Sequence, residues 1–244
     1  MAVRFKTRND EKVMLKVAIS YVSVEQARKN MLAELPGWDF EQVKQASFSE
    51  WNDWLGRIEV EGGSREQQIK LYTDLWHALL GRHVVSDADG HYMDMTSDFP
   101  RIRQIPLGED GKPLYNHHNF DAWWGSHWSL NILWSMAYPE VMDNFCNTMI
   151  DMYQNGGLIP RGPSGGNYTY VMIGDPAVSF FASAYNKGIC NYDAELAYEG
   201  LRKNAFVGGI RDHAGYEHSK TAHSGGMKYY EERGYVPDGR KDVE

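Results

Sequence analysis

Most of the sequence is predicted to be helical, and helices that are apolar on most sides alternate along the chain with amphipathic helices. The helices at 123–137 and 176–187 are apolar on most sides, whereas those at 66–80, 140–153 and 193–205 are amphipathic. A helix that is apolar all round has to be buried on all sides. A double ring of helices, the α/α barrel, produces this alternation of buried and half-exposed helices. A plain helical bundle is equally compatible, so the pattern predicts a mainly α fold that is a barrel or a bundle.

The N-terminal region has a different pattern. Apolar and polar residues alternate over positions 13–20, which is typical of a strand with one buried face. Ser23 and Gln26 then have the spacing of a capping box, and a helix is predicted to run from there to about Leu35. A second helix is predicted over residues 40–55. The chain therefore changes from strand to helix close to Ser23.

Two long connections interrupt the helices. Ser64 and Gln67 form another capping box, and the helix that they begin is predicted to end at Gly81. Residues 82–119 are rich in Asp, Gly and Pro, and a connection of this length is usually functional or contains small elements of its own. The tail over residues 208–239 is rich in glycine and is predicted to be a loop.

The charge of the chain argues against some classes of partner. The formal net charge is −8, from 25 basic and 33 acidic residues, and no stripe of Lys and Arg reverses it locally. Binding to nucleic acid or to an anionic membrane surface requires a basic face, so neither partner is expected. An apolar run near 20 residues and an apolar leader are both absent from the sequence. Two cysteines, Cys146 and Cys190, leave the compartment open.

Six segments resemble glycoside hydrolase family 92, the calcium-dependent α-mannosidases, in the order in which that family has them. They span nearly the whole chain, which makes chance a poor explanation. The segments are VAISYVSVEQARKNMLAELPG, WDFEQV, EQQIKLYTDLWHALL, SDADGHY, NGGLIPRGPSGGNY and VMIGDPAVSFFASAYNKGI.

The resemblance implies an architecture and an activity. The family has an N-terminal β-sandwich, a helical linker and a C-terminal (α/α)6 barrel, with the site between them. On this map residues 1–23 are the last strands of the sandwich, 24–62 the linker and 63–244 the first part of the barrel. The implied reaction is the inverting removal of α-linked mannose from an oligosaccharide or glycan, with the help of a bound Ca2+ ion. The family resemblance also implies a periplasmic or extracellular location.

Three motifs of the family do not occur in this sequence: EGNAWQY, GNEPDHQ and GNDD. In the family these motifs supply the general acid, contacts to the sugar and calcium, and the base. The resemblance therefore implies a fragment in which no residue is the catalytic acid or base. The calcium ligands are likewise expected outside this chain, beyond Glu244.

The resemblance also implies sugar contacts at residues 119–125. The family has an aromatic-Ser-x-Trp-Asp-Thr segment here, in which the Trp-Asp pair lines the mannose pocket. Trp123 matches the Trp, and Trp124 stands where the Asp is expected. An indole face packs on the C–H face of a sugar, and a carboxylate accepts hydroxyl protons. Asp121 is a candidate for the missing acceptor, and packing in the core is the alternative role for the two Trp residues.

Residues 159–167 match a Leu-Pro-Arg-Trp-Pro…Gly-Asn segment of the family, with Gly162 in place of the aromatic residue. Arg161 and Asn167 are therefore candidate substrate contacts. Arg161 has several donors for hydroxyl groups or for a carboxylate. An equally good hypothesis is that Arg161 fixes the backbone of its loop. Asp175 precedes Pro176 and is interpreted mainly as a helix cap.

Asp87 and Asp89 belong to a D-x-D-G sequence that resembles the beginning of a calcium loop. The remaining ligands of an EF-hand are not at their positions, so contact with the sugar is the better functional prediction for both residues. His127 is a further candidate for sugar contact. The histidines lack the spacing of a zinc site on one helix face, and a structural or surface role is the alternative.

Two other classes of protein are alternatives to the glycosidase. The first is a non-catalytic, carbohydrate-binding helical protein in which the Trp and Arg residues only bind. The second is another helical-barrel enzyme, such as a lyase or a terpene cyclase, but the acidic D-D-x-x-D run of a cyclase is absent. The sequence also lacks a G-x-S-x-G elbow, a Walker loop and a G-x-G-x-x-G motif, so nucleotide-binding and Rossmann functions have no support.

Overall fold

The chain is mainly helical, as predicted. The computed structural model describes residues 3–81, 83–120, 123–170, 174–213 and 226–238. In these ranges there are eight α-helices. They are α1 (Val24–Glu34), α2 (Phe40–Leu55), α3 (Arg65–Leu80), α4 (Leu130–Ala137), α5 (Pro139–Gly156), α6 (Ala177–Asn186), α7 (Ala194–Asn204) and α8 (Gly226–Arg233).

Short strands occupy the connections between helices. They pair as three antiparallel two-stranded sheets, β1 with β4, β2 with β3 and β5 with β6. Four of the strands lie in the long connection after α3, which confirms that this connection has small elements of its own. The strands are β1 (His83–Val84), β2 (His91–Asp94), β3 (Arg101–Gln104), β4 (His118–Asn119), β5 (Pro163–Ser164) and β6 (Asn167–Tyr168).

The predicted helix starts are confirmed by their caps. The Ser23 hydroxyl accepts a hydrogen bond from the Gln26 backbone N–H at 3.1 Å, and α1 begins at the next residue. Ser64 and Gln67 make both bonds of a capping box at the start of α3. The Asp193 carboxylate caps α7. These local bonds satisfy backbone N–H groups that have no partner inside the helix, which is why the sequence signals were reliable.

The predicted strand over residues 13–20 is not formed. This segment has no regular secondary structure, and Leu15, Val17 and Ile19 are 68–74% exposed. A strand exists only when another strand pairs with its N–H and C=O groups, and no described segment of the chain pairs with this one. The alternation of apolar and polar residues distinguishes the two faces of a possible strand. It does not show whether a second strand pairs with it. The assignment of residues 1–23 to a sandwich stays a prediction.

Two further boundaries differ from the prediction. The helix expected over 123–137 is shorter, because Trp123 belongs to a loop, residues Ser126–Trp128 form a 3-10 turn and α4 begins only at Leu130. The tail that was predicted to be a loop contains α8. Its residues 227–233 include no glycine, so the glycine content of the whole tail concealed a short helical stretch.

The core lies around α5, which packs against α4, α6 and α7. The predicted order of burial is therefore wrong: the amphipathic α5 has nine buried residues, whereas α4 keeps an exposed apolar face with Met136 at 78% exposure. The hydrophobicity of a helix does not determine how many other helices pack around it. The centre of the core is aromatic, and its largest side chains with at most 1% exposure are Trp123, Trp134, Tyr138, Phe145 and Phe180.

Candidate functional site

Three connections meet at one end of the helices. We call this region the loop end and define it as residues 119–125, 157–176 and 204–213 in so far as the structure describes them. The Trp123 N–H donates to the Arg161 carbonyl at 3.0 Å, and the Phe120 N–H donates to the Pro163 carbonyl at 3.3 Å. Most of the sequence-predicted site residues lie here, so the loop end is the candidate site.

Arg161 holds the loop end together. Its side chain is 1% exposed and donates to backbone carbonyls of Tyr170 at 3.2 Å, Gly174 at 2.9 Å, Ile210 at 2.9 Å and His213 at 2.7 Å. A buried guanidinium is stable only when its donors are satisfied, and these carbonyls do so. The structure thus shows the backbone-fixing role that we weighed against sugar binding. It leaves Arg161 with almost no exposed surface for a ligand.

Trp123 is a core residue. It has no exposed surface, and its ring packs 4.1 Å from Phe180 and 4.6 Å from both Phe120 and Phe145, measured between ring centroids. Its indole N–H points to the Met149 sulfur at 3.2 Å. Contact with a sugar was predicted for Trp123, but every face of the ring is already covered. Core packing, the alternative role, is what the structure shows.

Trp124 points differently from its neighbour and is 38% exposed. Its indole lies against Gly174, where an added Cβ atom would be 3.6 Å from the indole Cζ2. Gly174 has φ +77°, a conformation that favours glycine. Trp124 therefore remains a candidate for contact with a ligand. Asp121, the other predicted acceptor in this segment, lies outside the described residues.

Asp175 is the most unusual carboxylate of the loop end. It is 8% exposed, and the Asn204 side chain and the Ala177 backbone N–H act on its carboxylate as donors at the margin of hydrogen-bonding geometry. Burial raises the pKa of Asp175 to about 6, against the opposing effects of Asn204, Arg211 and Arg161. The predicted capping role stays a prediction: α6 begins after Pro176 without a fully formed side-chain cap, while the Ala177 backbone N–H at its first residue acts on the Asp175 carboxylate. A buried carboxylate with a raised pKa is a candidate functional group.

His127 and Asn167 complete the predicted set at the loop end and its edge. His127 is exposed on the 3-10 turn and packs 4.4 Å from the ring of Trp128, which the sequence analysis did not single out and which is 76% exposed. Asn167 is half-buried in β6, and its side-chain oxygen accepts a bond from the Tyr168 N–H at 2.8 Å. Sugar contact stays a prediction for both residues.

Asp87 and Asp89 do not belong to the loop end. The Asp87 carboxylate accepts bonds from the Ser20 hydroxyl at 2.9 Å and the Asn30 amide at 2.7 Å. The Asp89 carboxylate accepts bonds from the Gln26 amide at 2.8 Å and 3.0 Å. The two residues thus attach α1 to the connection after α3. Their carboxylates are occupied by protein donors, which does not fit the predicted sugar contact.

The pKa of Asp89 is consistent with this attachment. Burial by itself would raise it, but hydrogen bonds from His91, Gln26 and Lys29 outweigh burial and hold the pKa well below its ordinary value. Asp89 is therefore ionised at neutral pH. The side chain of Gln26 binds Asp89 instead of returning to Ser23, which is why the predicted capping box is only half formed.

The described residues do not fit a calcium site. Among them no group of three or more His, Cys, Asp or Glu side chains is placed to hold a metal ion. A calcium ion needs six to eight oxygen ligands, and the D-x-D-G carboxylates already bind amide, hydroxyl and ammonium groups. Calcium stays a prediction from the resemblance, with its ligands expected outside this chain.

A second polar cluster lies between β2 and α5 and was missed by the sequence analysis. The Tyr115 hydroxyl donates to both oxygens of Asp151 at 2.9 Å, and the His117 Nε2 lies 3.9 Å from Asp151 Oδ2. The ring of Tyr92 stacks on His117 at 4.1 Å. Burial raises the pKa of Asp151 to about 7, although the Tyr115 bond opposes this. These side chains contact one another and not a free surface. We therefore assign the cluster a structural role, in which it attaches the connection after α3 to α5.

The sequence profile of the glycosyl hydrolase family 92 catalytic domain matches residues 26–244. The chain belongs to glycosyl hydrolase family 92. This confirms the resemblance seen in the six sequence segments. An uncharacterised secreted glycosidase of the fungus Arthroderma benhamiae is 27% identical over 199 residues, which cover 80% of this chain and 20% of that protein.

Solved structures of family 92 enzymes share the fold. An inverting mannosidase from Bacteroides thetaiotaomicron matches 90% of this chain with a TM-score of 0.73 and 26% identity. An α-mannosidase from the same organism matches 75% with a TM-score of 0.67 and 26% identity. The chain spans 28% and 23% of the length of these two proteins. The described helices are thus a part of the helical region of a family 92 enzyme, which confirms the predicted partial barrel.

In the described part of the chain, no helix is both long and apolar enough to cross a membrane.

Proposed function

We propose that this chain is part of a glycosidase that removes α-linked mannose from glycans with inversion. The observation that carries the proposal is the family 92 match over residues 26–244. It is supported by the similarity to an inverting mannosidase, which extends over 90% of the chain. The acidic net charge agrees with a neutral glycan as substrate.

The chain contributes the framework of the sugar site and not its acid and base. Inversion requires a carboxylic acid that protonates the leaving oxygen and a carboxylate that activates water, roughly 6.5–9.5 Å apart on opposite faces of the sugar. Asp87, Asp89 and Asp151 are each hydrogen-bonded to protein donors, so we assign none of them to either role. We place the acid, the base and the calcium ligands in the part of the family 92 domain that this chain does not span.

The site would act outside the cytoplasm. The fungal relative carries the name of a secreted glycosidase. Glycans that carry terminal α-mannose are abundant outside cells, which fits a periplasmic or extracellular enzyme.

The test is an assay of the complete natural polypeptide that contains this chain. We expect it to cleave 4-nitrophenyl α-mannoside in the presence of calcium, and to leave the β-mannoside and the α-glucoside intact. NMR during the first turnovers should show the β-anomer of mannose before mutarotation. A pure protein that binds mannose but cleaves none of the three substrates would favour the non-catalytic carbohydrate-binding alternative, and release of the α-anomer would exclude inversion.

A further inference from the structure

The polar cluster of Tyr92, Tyr115, His117 and Asp151 attaches the connection after α3 to the second half of α5. The Tyr115 hydroxyl donates to both carboxylate oxygens of Asp151 at 2.9 Å. The Tyr92 ring stacks on His117, and His117 Nε2 lies 3.9 Å from Asp151 Oδ2. The side chain of His117 is 2% exposed and that of Asp151 is 14% exposed. The cluster therefore joins two elements at a place that water barely reaches.

Asp151 lacks a positively charged partner. Among the described residues, its carboxylate accepts hydrogen bonds from the Tyr115 hydroxyl only, and no Lys or Arg forms an ion pair with it. His117 does not supply the charge, because burial lowers the pKa of His117 to about 3 and leaves the imidazole neutral. Neither ring nitrogen of His117 has a partner at hydrogen-bonding distance. A buried carboxylate with one neutral donor, beside an unsatisfied imidazole, is costly when it is ionised.

A proton on Asp151 removes this cost. A protonated carboxyl is uncharged and has an O–H that can donate to His117 Nε2, while its other oxygen still accepts from Tyr115. Shortening the 3.9 Å separation to a hydrogen bond takes a shift of about 1 Å. Burial is the main cause that raises the pKa of Asp151 to about 7, and the negative charge of Asp94 adds to it while the Tyr115 bond opposes it. The carboxyl therefore changes its charge close to neutral pH.

The charges nearest to the cluster are already balanced. Asp94 on β2 is paired with Arg101 and Arg103 of β3 at 2.7 Å and 3.6 Å. Burial by itself would raise the pKa of Asp94, but hydrogen bonds outweigh burial and hold it below its ordinary value. Asp94 therefore stays ionised near neutral pH, and the two guanidinium groups neutralise Asp94 and not Asp151.

The titratable side chains around Asp151 keep their charge between pH 6 and pH 8. Burial raises the pKa of both phenols, Tyr92 and Tyr115, so they stay protonated, and His117 stays neutral. The next histidine, His118, packs on an aromatic ring of the core at 4.7 Å and acts on His117, not directly on Asp151. A pH response of the cluster in this range therefore originates at Asp151.

We propose that Asp151, Tyr115 and His117 form a pH-sensitive latch, which holds the connection after α3 on α5 while Asp151 is protonated and loosens when Asp151 loses its proton. The sign follows from linkage, because ionisation of a group with a raised pKa opposes the attached state. The attachment is strongest in acid, weakens as the pH rises from the ordinary value of 3.8, and is weakest above about 7. The latch does not depend on the proposed function.

The latch bears on the candidate site because the connection continues directly into the loop end. The Gly165 N–H donates to the side-chain oxygen of Asn119, which is the last residue of the connection. The Phe120 N–H donates to the Pro163 carbonyl at 3.3 Å. Loosening the connection at higher pH should therefore also raise the mobility of the loop end.

Hydrogen–deuterium exchange, followed by mass spectrometry on the complete natural polypeptide, measures the loosening. Exchange of peptides from residues 83–119 is compared at pH 6 and pH 8 after correction for the intrinsic pH dependence of exchange. With pKa values of 3.8 for the detached state and about 7 for the attached state, the population of the detached state should increase about 10-fold between these pH values. Peptides from α2, which packs on α3, are the internal reference and should show no increase.

Three variants separate titration from packing. Asp151→Asn removes the titrating proton, so corrected exchange of the connection should not change between pH 6 and pH 8. Tyr115→Phe removes the donor that favours the ionised form of Asp151, so the midpoint of loosening should move to higher pH. A role in packing alone would weaken the attachment equally at every pH. Asp143→Asn is the matched control and should keep the pH dependence, because Asp143 is a buried carboxylate about two turns earlier on α5 that binds Asn191 instead.

A second measurement decides the matter if Asp151→Asn does not fold. A protonated carboxyl has an infrared C=O band distinct from that of a carboxylate, and this band should fade between pH 6 and pH 8 in wild type and persist to higher pH in Tyr115→Phe. The latch is overturned by equal corrected exchange of the wild-type connection at the two pH values, by the same pH dependence in Asp151→Asn as in wild type, or by an infrared band that does not respond to Tyr115→Phe.

Discussion

Replacing Asp175 by Asn should change the stability of the chain in a pH-dependent way. The pKa of Asp175 is about 6 in the folded chain and 3.8 in its ordinary, unburied state. Because the folded state binds the proton more tightly, ionisation of Asp175 opposes folding. The penalty is absent below the ordinary pKa, grows as the pH rises from about 3.8, and is complete above about 6. Asn carries no charge and is free of this penalty.

The size of the effect follows from the separation of the two pKa values. At about 1.36 kcal/mol per pH unit, a separation of about 2.2 corresponds to about 3 kcal/mol at full ionisation. At pH 5 the same relation gives about 1.6 kcal/mol. The free energy of unfolding of Asp175→Asn should therefore gain about 1.3 kcal/mol relative to wild type between pH 5 and pH 7. Any cost of placing the amide in the site is the same at both pH values and cancels.

Urea unfolding followed by circular dichroism at pH 5 and pH 7 measures this difference. Asp143→Asn is the control, because the buried Asp143 carboxylate accepts bonds from the backbone N–H and the side-chain amide of Asn191 at 3.0 Å and 2.9 Å. That variant loses real hydrogen bonds and should be less stable than wild type at both pH values. If the advantage of Asp175→Asn does not grow with pH, the carboxylate is not held in a costly environment and the reasoning is refuted.

The other predictions concern packing, attachment and activity. Arg161→Met should lower the free energy of unfolding by about 3–5 kcal/mol, because four buried carbonyls lose their donor; a loss below 1 kcal/mol in urea titration would contradict this. Phe145→Ala should cost about 3–5 kcal/mol in thermal unfolding, as the side chain is fully buried among aromatic rings. Asn30→Ala should cost about 1–3 kcal/mol because Asp87 loses a buried amide donor and keeps only the Ser20 hydroxyl, whereas Lys29→Ala, at an exposed ion pair, should cost under about 1 kcal/mol; equal effects would argue against the attachment of α1. Finally, the purified 244-residue chain should not hydrolyse aryl α-mannosides when calcium is added, and clear turnover would place the acid and base within it.

The parts of the fold that depend on neighbours along the chain were predictable. Ser23, Ser64 and Asp193 each cap a helix at the predicted residue, and α2 begins and ends where the apolar spacing indicated. A cap requires only a side-chain oxygen and an N–H three residues later. The segment at 13–20 failed for the opposite reason, since a strand needs a partner that can come from anywhere in the chain.

The candidate site was predictable in its location but not in its roles. The motifs around Trp123 and Arg161 pointed to the loop end, yet both side chains are buried there and hold the structure together. Their residue types suit ligand binding and burial equally well, so sequence alone could not separate the two roles. The position of Asp175 before Pro176 predicts a cap, and no local pattern reveals that burial raises the pKa of its carboxylate to about 6.

The sequence by itself determined most of the helices, the capped starts of α1, α3 and α7, and the family, because each of these depends on short spacings or on the order of segments along one chain. The tertiary structure decided which faces are buried and which carboxylates find donors. Asp87 meets Asn30 across 57 residues, whereas the burial of Asp175 outweighs its neighbouring donors and raises its pKa. Solvation and charge depend on what surrounds a group in space, and only the folded chain brings those distant residues together.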